Sequence, residues 1–249
     1  MNQQTICRDC GAPGTVEVDD YAARVFHFPE KPFPWRCPAC HAKHAAAESA
    51  RKDAEYKRNR EEALNRRIAD ATIPMEYFSL LMPPVETVAN WLSARFDANI
   101  LLHGFTGAGK STSAAYNAKQ AIFRGFSVKW YQLAALLDEW RMARCSDNPL
   151  DVPYLYRRIE SYDLVILDEC DKPVSTESTR EMMFRLLEDV ANGTSHCRLW
   201  MLGNWYRGAI EDIFGNGAAA RRRFDESFQC AEITKDGKIK KIRLYKGEL

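Results

Sequence analysis

Eight consecutive residues, Gly104–Ser111, carry the strongest chemical signal in the sequence. They fit the pattern G-x-x-x-x-G-K-[ST] at each fixed position. Glycines let the backbone approach a phosphate closely, and backbone N–H groups at the start of a helix favour an anion. In such a loop Lys110 reaches the β- and γ-phosphates, and the Ser111 hydroxyl coordinates Mg²⁺. The pattern therefore predicts a binding loop for a magnesium-bound nucleoside triphosphate.

We expect the whole loop and the residue after it to contact the nucleotide, which we take to be ATP. The predicted contacts come from Gly104, Phe105, Thr106, Gly107, Ala108, Gly109, Lys110, Ser111 and Thr112. A predicted strand, Asn99–His103, precedes the loop, and a predicted helix follows from Thr112, as the motif requires. A chance glycine-rich turn would lack this order of strand, loop and helix.

Two adjacent acids, Asp168 and Glu169, end a second apolar run. In α/β sheets, ligands lie at the carboxyl ends of the strands. We expect Asp168 to hold Mg²⁺ together with Ser111, and Glu169 to orient or deprotonate the attacking water. Surface acids that simply follow a strand are the alternative, but the phosphate loop upstream favours ATP hydrolysis.

Two further polar features adjoin the apolar runs: one follows the third run, and the other precedes the last run. Asn204 follows a third apolar run and either contacts the γ-phosphate or the attacking water, or only closes a turn. Three arginines, 221–223, precede the last apolar run. They form a solvated patch, bind nucleic acid, or place one arginine at the γ-phosphate of a neighbouring subunit. The last alternative implies self-association.

From about Thr72 onward, strand-like and helix-like segments alternate, which predicts a parallel sheet with crossover helices. The predicted strands are Asn99–His103, Ser127–Gln132, Asp163–Leu167, Arg198–Leu202 and Phe228–Ile233. The predicted helices are Thr112–Arg124, Leu133–Arg144 and Ser178–Asn192. The fold class is therefore α/β, with a five-stranded parallel sheet flanked by helices.

Together these residues resemble the AAA+ superfamily, and within it the DnaC-type helicase loaders and the IstB-type ATPases that assist transposition. Residues 71–78, ATIPMEYF, resemble the entry segment of that family, and residues 162–169, YDLVILDE, resemble its acidic strand. The resemblance covers about residues 72–245. It implies ATP hydrolysis, a core without a helical lid, and a trans-acting arginine, for which Arg223 is the best match and Arg222 the second.

The resemblance also implies partners. A helicase loader would bind a replicative DNA helicase and single-stranded DNA, and would self-associate. A transposition-type regulator would instead assemble on duplex DNA and recruit a transposase. A third alternative is a switch that binds ATP with little turnover, although Glu169 argues against it because a pure binder needs no base.

Four cysteines in two pairs, Cys7-x-x-Cys10 and Cys37-x-x-Cys40, suit one tetrahedral zinc site. The segment between the two pairs is longer than the usual spacing of roughly 15–20 residues. Valines and phenylalanines within 16–28 predict a hairpin between the pairs, as in a zinc ribbon. His41 or His44 could replace one cysteine. Haem attachment and redox chemistry fit less well, because no export signal and no thioredoxin-like βα context accompany the motifs.

The predicted domains are the zinc-ribbon-like segment 1–45, a charged helical linker 46–71 and the ATPase domain 72–249. Phe33, Trp35 and Arg36 beside the second cysteine pair either stack on bases or pack the small domain, and packing is favoured. The formal net charge is +1, so any nucleic-acid binding depends on local patches. No segment has the length and apolarity of a membrane span or a signal peptide, so we expect a cytoplasmic protein without membrane contact.

Overall fold

The computed structural model describes residues 2–17, 35–81, 85–172, 176–192, 196–204, 217–234 and 238–241. By packing, the chain separates into two units, 1–63 and 64–249. The predicted division into 1–45, 46–71 and 72–249 stays a prediction. No helix in the described part of the chain is long and apolar enough to cross a membrane.

The first unit contains a hairpin of two strands, β1 (Asn2–Ile6) and β2 (Pro13–Glu17), which pair antiparallel. The sequence predicted a hairpin between the two cysteine pairs, with Val16 in one of its strands. That residue lies in β2, whose partner β1 precedes Cys7. The turn of the hairpin therefore carries the first cysteine pair. Residues 18–34, which hold the other valines and phenylalanines of that prediction, lie outside the described residues.

A long helix, α1 (Pro38–Ala71), begins before the predicted linker. Proline is favoured at the first helical position, where its missing N–H has no partner to lose. The alanines at 45–47 are strong helix formers, so the helix continues. Residues 45–62 are exposed all round, as expected from their mixed charges.

The second unit alternates helices and strands. In chain order these are α2 (Met75–Phe78), α3 (Glu86–Ser93), β3 (Asn99–Gly104), α4 (Lys110–Phe123), β4 (Val128–Gln132), α5 (Leu133–Cys145), α6 (Asp151–Glu160), β5 (Leu164–Asp168), α7 (Glu177–Ala191), β6 (Arg198–Gly203), α8 (Gly217–Ser227), β7 (Phe228–Ile233) and β8 (Ile239–Lys241).

These strands form one sheet in the order β4-β5-β6-β3-β7-β8. The first five are parallel, which confirms the predicted fold class, and β8 adds a short antiparallel edge to β7. β6 lies between β5 and β3, so the carboxyl ends of these three strands are neighbours. The loops after them, which carry the predicted site residues, therefore meet at one edge of the sheet.

Helices cover both faces of the sheet, and each face has its own apolar core. Successive side chains in a strand point to opposite faces, so Ile100 and Leu102 of β3 join the core under α3 and α4. Leu101 joins the opposite core, to which α5, α6, α7 and α8 contribute. Every residue of β5 is buried, as expected for a central parallel strand. The site is thus built on strands that are fixed from both sides.

Candidate functional site

The predicted phosphate loop joins β3 to α4, and its backbone needs glycine. Gly107 and Gly109 have φ angles of 79° and 80°, in the left-handed region. A Cβ at Gly109 would also lie 2.5 Å from Val85 Cγ2, and a Cβ at Gly104 would lie 2.6 Å from the carbonyl oxygen of Ile233. At 104 and 109 a larger side chain would clash with neighbouring atoms. At 107 there is room for a side chain, and only the positive φ angle favours glycine.

Lys110 is the first residue of α4 and is 7% exposed. Its ammonium donates to the carbonyl oxygens of Gly104 (3.0 Å) and Phe105 (2.8 Å) and to Oδ1 of Asn204 (2.7 Å). Burial lowers the pKa of Lys110, and the negative charge of Asp171 acts in the opposite direction. A cation is thus held at the mouth of the loop, where phosphates would lie.

Asp168 ends β5 and meets Ser111 across the sheet edge. The Ser111 hydroxyl donates to Asp168 Oδ1 at 2.9 Å, and the Glu169 backbone N–H donates to the same oxygen at 2.8 Å. Burial raises the pKa of Asp168, and these two hydrogen bonds counteract the rise. Hydroxyl and carboxylate oxygens are the ligands that Mg²⁺ prefers, so the pair fits a magnesium ion.

Glu169 follows with a backbone φ of 56°, which is uncommon outside glycine. Non-glycine residues in this region often lie at functional sites, where the surrounding structure holds them in place. The Glu169 carboxylate is 37% exposed and forms an ion pair with Lys172. The turn therefore directs a solvent-accessible carboxylate into the space beside Asp168.

Asn204 follows β6 and forms two hydrogen bonds with Asp171. The Asn204 backbone N–H donates to Asp171 Oδ1 at 2.9 Å, and its Nδ2 donates to Asp171 Oδ2 at 3.2 Å. The remaining amide atom, Oδ1, accepts from Lys110. The structure therefore brings the predicted polar residue of β6 into direct contact with the predicted phosphate loop.

These side chains line one cleft of about 560 Å³, a volume typical of ligand sites. Its lining residues are Tyr77, Val85, Thr106, Gly107, Gly109, Lys110, Ser111, Thr112, Asp168, Glu169, Asp171, Lys172, Gly203 and Asn204. Gly104, Phe105 and Ala108 were also predicted to contact the nucleotide and are not among them. The first two contribute carbonyls to Lys110 instead.

Five lining residues were missed from the sequence, and one of them, Gly203, ends β6 directly before Asn204. Tyr77 and Val85 precede β3, and Tyr77 lies in the segment 71–78 whose resemblance to an AAA+ entry segment was the available signal. Asp171 and Lys172 come just after the acidic pair. Their contacts depend on Asn204 and on the turn at Glu169, which no local pattern reveals.

Arg223 lies apart from this cleft. Its Nη2 donates to Glu188 at 2.9 Å, near the end of α7. Since α7 begins after the carboxyl end of β5 and returns to the start of β6, this end lies toward the opposite edge of the sheet. Arg222 pairs with Glu226 instead, and the side chain of Arg221 is outside the described part. The structure therefore brings together most of the residues predicted to bind the nucleotide, but it places the predicted trans-acting arginine elsewhere.

The four paired cysteines meet in the first unit, where their sulfur atoms all lie within 4.8 Å of one another. A tetrahedral zinc ion with Zn–S distances of about 2.3 Å requires sulfurs about 3.8 Å apart, and Cys10 Sγ lies 3.7 Å from Cys37 Sγ. The backbone N–H of Cys37 donates to Cys7 Sγ at 3.3 Å and helps to lower the pKa of that thiol to about 6. The set can therefore hold zinc.

The neighbours of this cluster bear on two alternatives. His44 Nε2 accepts from Arg36 Nη2 at 3.0 Å, so His44 is engaged outside the four sulfurs. Trp35 lies over the hairpin: a Cβ at Gly14 would be 2.2 Å from its ring. The packing role favoured for Trp35 is thus supported, whereas Phe33 lies outside the described residues.

Comparisons with known proteins agree with this site. Residues 82–205, which contain the phosphate loop, the acidic pair and Asn204, match the family described as IstB-like ATP binding protein. Among curated proteins, none matches the chain in sequence.

Three solved structures share the fold, each with a TM-score of 0.50. AMPPCP-bound DnaA from Aquifex aeolicus is 12% identical, and the match covers 65% of this chain and 52% of that one. DnaI is 15% identical, with 65% and 94% covered. The DnaC helicase loader is 11% identical, with 64% and 99% covered. The chain therefore matches only about half of the DnaA chain, and identities this low establish the fold alone.

Fold and site together define a P-loop nucleotide-binding domain of the AAA+ type. Residues 82–205 of this domain match the IstB-like ATP-binding family, and its fold is similar to those of DnaI and DnaC, so the predicted resemblance is confirmed.

Proposed function

We propose that the chain is a magnesium-dependent ATPase that acts in DNA replication as a loader of a replicative helicase. The carrying observation is the convergence of Lys110, the Ser111–Asp168 pair and Glu169 on one cleft. Lys110 binds the β- and γ-phosphates, Ser111 and Asp168 hold Mg²⁺, and Glu169 activates the water. The magnesium ion neutralises developing phosphate charge when it is bound.

The loader role is supported by the fold shared with DnaC, which is described as a helicase loader, and with DnaI. We infer that single-stranded DNA and a hexameric helicase are the partners. Turnover should rise with single-stranded DNA and with the helicase. The test is the ATPase rate alone, with single-stranded DNA, with duplex DNA and with the helicase. An absence of helicase binding would contradict the loader role.

A second candidate is a regulator that assembles on duplex DNA, as in transposition. The match of residues 82–205 to the IstB-like family favours it. This candidate expects stimulation by duplex DNA alone and ATP-dependent filaments on duplex DNA in electron micrographs. Monomers or small rings under those conditions would remove it. No turnover under any condition would leave the ATP-binding switch.

For the first unit we propose a zinc ion held by Cys7, Cys10, Cys37 and Cys40, in a module that grips the protein partner. Protein purified without chelator should contain one zinc per chain, and Cys37→Ser should lose it together with helicase capture. Cys145→Ser is the matched control, because Cys145 is exposed and lies outside the cluster. A zinc-free wild-type protein would contradict the assignment.

A further inference from the structure

Asp171 contacts a single residue with both of its carboxylate oxygens. Oδ1 accepts the backbone N–H of Asn204, and Oδ2 accepts the side-chain Nδ2 of the same residue. Asp171 lies in the loop after β5, and Asn204 follows the neighbouring strand β6. The backbone N–H of Cys170 also donates to Leu202 O at 2.9 Å, so the loop is fixed to β6 at two successive residues.

These two hydrogen bonds from Asn204 to Asp171 fix the orientation of the Asn204 side-chain amide. With Nδ2 turned to a carboxylate, Oδ1 is left for the ammonium of Lys110, at 2.7 Å. The reversed amide would set its N–H groups against an ammonium and its oxygen against a carboxylate, and both contacts would be repulsive. Asp171 and Lys110 therefore select one orientation from two that differ little in shape.

We propose that Asp171 is a positioning residue for ATP hydrolysis, which acts by orienting the Asn204 amide at the phosphate end of the cleft. The inference rests on the proposed ATPase function of this cleft. Removal of the carboxylate removes one of the two groups that fix the Asn204 amide, so its oxygen is held less firmly against Lys110. The expected loss is in kcat, because Asp171 acts through Asn204.

The test is a double-mutant cycle of Asp171→Ala and Asn204→Ala, with kcat and KM for ATP measured for each variant. Each single variant should lower kcat by about tenfold, and the double variant should stay within about threefold of Asn204→Ala. A carboxylate that only braced the loop would lower kcat by a factor independent of Asn204. The double variant would then show the product of both losses, which would overturn the proposal.

A second variant covers the case in which Asp171→Ala misfolds. Asp171→Asn keeps the size of the side chain but replaces one of its two acceptor oxygens with a donor, so it can no longer accept from both nitrogens of Asn204. We expect the same loss of kcat, with ADP affinity and melting temperature close to wild type, whereas unchanged kcat would contradict the positioning role. Asp138→Asn on α5, where the acid pairs with Arg141 at the surface, is the control. Inactive wild-type protein would instead refute the ATPase function itself.

Discussion

At the scale of single residues, the site contains charged side chains whose burial destabilises the folded protein. Asp168 is 6% exposed, and burial raises its pKa even though two donors stabilise the carboxylate. Lys110 is equally buried, and its pKa is lowered. Each charge is held where desolvation opposes it, which is typical of sites that bind charged ligands at the expense of stability.

We therefore expect Asp168→Asn to stabilise the metal-free protein at neutral pH. A carboxyl whose folded-state pKa is raised contributes stability below its unfolded pKa and loses it as the pH rises through the folded value. The amide carries no charge, and its oxygen can still accept from Ser111 and Glu169. The variant should melt a few degrees higher than wild type at pH 7 in EDTA, and this gain should shrink as the pH falls toward 4.

The same variant should lose magnesium-dependent ATP binding, because the amide is a weak ligand for Mg²⁺. Asp138→Asn serves as a control for the general effect of removing one negative charge. A lower melting temperature for Asp168→Asn at pH 7 would contradict the account of a desolvated carboxylate.

At the scale of elements, the loop between β3 and α4 needs glycine for two different reasons, a positive φ angle and a lack of space for a side chain. Gly107 and Gly109 have nearly the same positive φ. A Cβ at Gly107 has nothing within 4 Å, whereas a Cβ at Gly109 meets Val85 Cγ2. The backbone strain is therefore matched, and only the steric contact differs.

We expect Gly109→Ala to weaken ATP binding much more than Gly107→Ala, which carries only the strain of about 1 kcal/mol for a non-glycine residue in this region. Adding Val85→Ala should recover part of the loss at Gly109, because it removes the nearest methyl group. Titration of a fluorescent ATP analogue against the variants measures this. Equal affinities for both alanine variants would show that the contact with Val85 is unimportant.

The sequence located the elements that carry the site within a few residues. The runs predicted to begin at 99, 127, 163, 198 and 228 became the five parallel strands, because buried parallel strands need continuous apolar residues. Helix α6 had no prediction: Pro153 lies in its first turn, and its buried side chains are Leu155, Tyr156 and Ile159. Proline is tolerated there, and Val152, Leu155, Tyr156 and Ile159 follow the helical spacing i, i+3, i+4, i+7, so the sequence does carry the period of this helix.

The features that the sequence did not reveal depend on which strands are neighbours. Nothing local indicates that the strand with Val16 pairs with residues before Cys7. The grip of Asp171 on Asn204 likewise requires the adjacency of β5 and β6 and the turn at Glu169. The residues that would bind a phosphate could thus be predicted from a motif, whereas the residues that orient them could not.

At the scale of the whole molecule, the position of Arg223 suits a role in a neighbouring subunit. Its ion pair with Glu188 lies toward the sheet edge opposite its own cleft, with side-chain exposures of 32% and 39%. The pair is partly buried, and the Arg223 guanidinium also lies over the ring of Phe184, 5.0 Å from its centroid. We propose that Arg223 exchanges Glu188 for a phosphate bound by an adjacent copy.

We expect Arg223→Ala to lower ATP turnover only under conditions where the protein assembles. Mixing Arg223→Ala, which keeps its own cleft, with Glu169→Gln, which keeps its arginine, should restore activity that neither has alone. Arg222→Ala is the control, since Arg222 pairs within its own helix. Full activity per chain in wild-type monomers, or no recovery on mixing, would contradict a trans-acting arginine.

The most direct test of the whole account is ATP turnover by wild-type protein beside Glu169→Gln and Lys110→Ala, with ATP binding measured in parallel. Wild type should hydrolyse ATP in a magnesium-dependent reaction. Glu169→Gln should bind ATP as tightly but turn it over at least a hundredfold more slowly, in line with the roughly 10²–10⁴-fold effect of a general base. Lys110→Ala should lose binding as well. Equal turnover in wild type and Glu169→Gln, or ATP binding unchanged by Lys110→Ala, would contradict the assignment of this cleft.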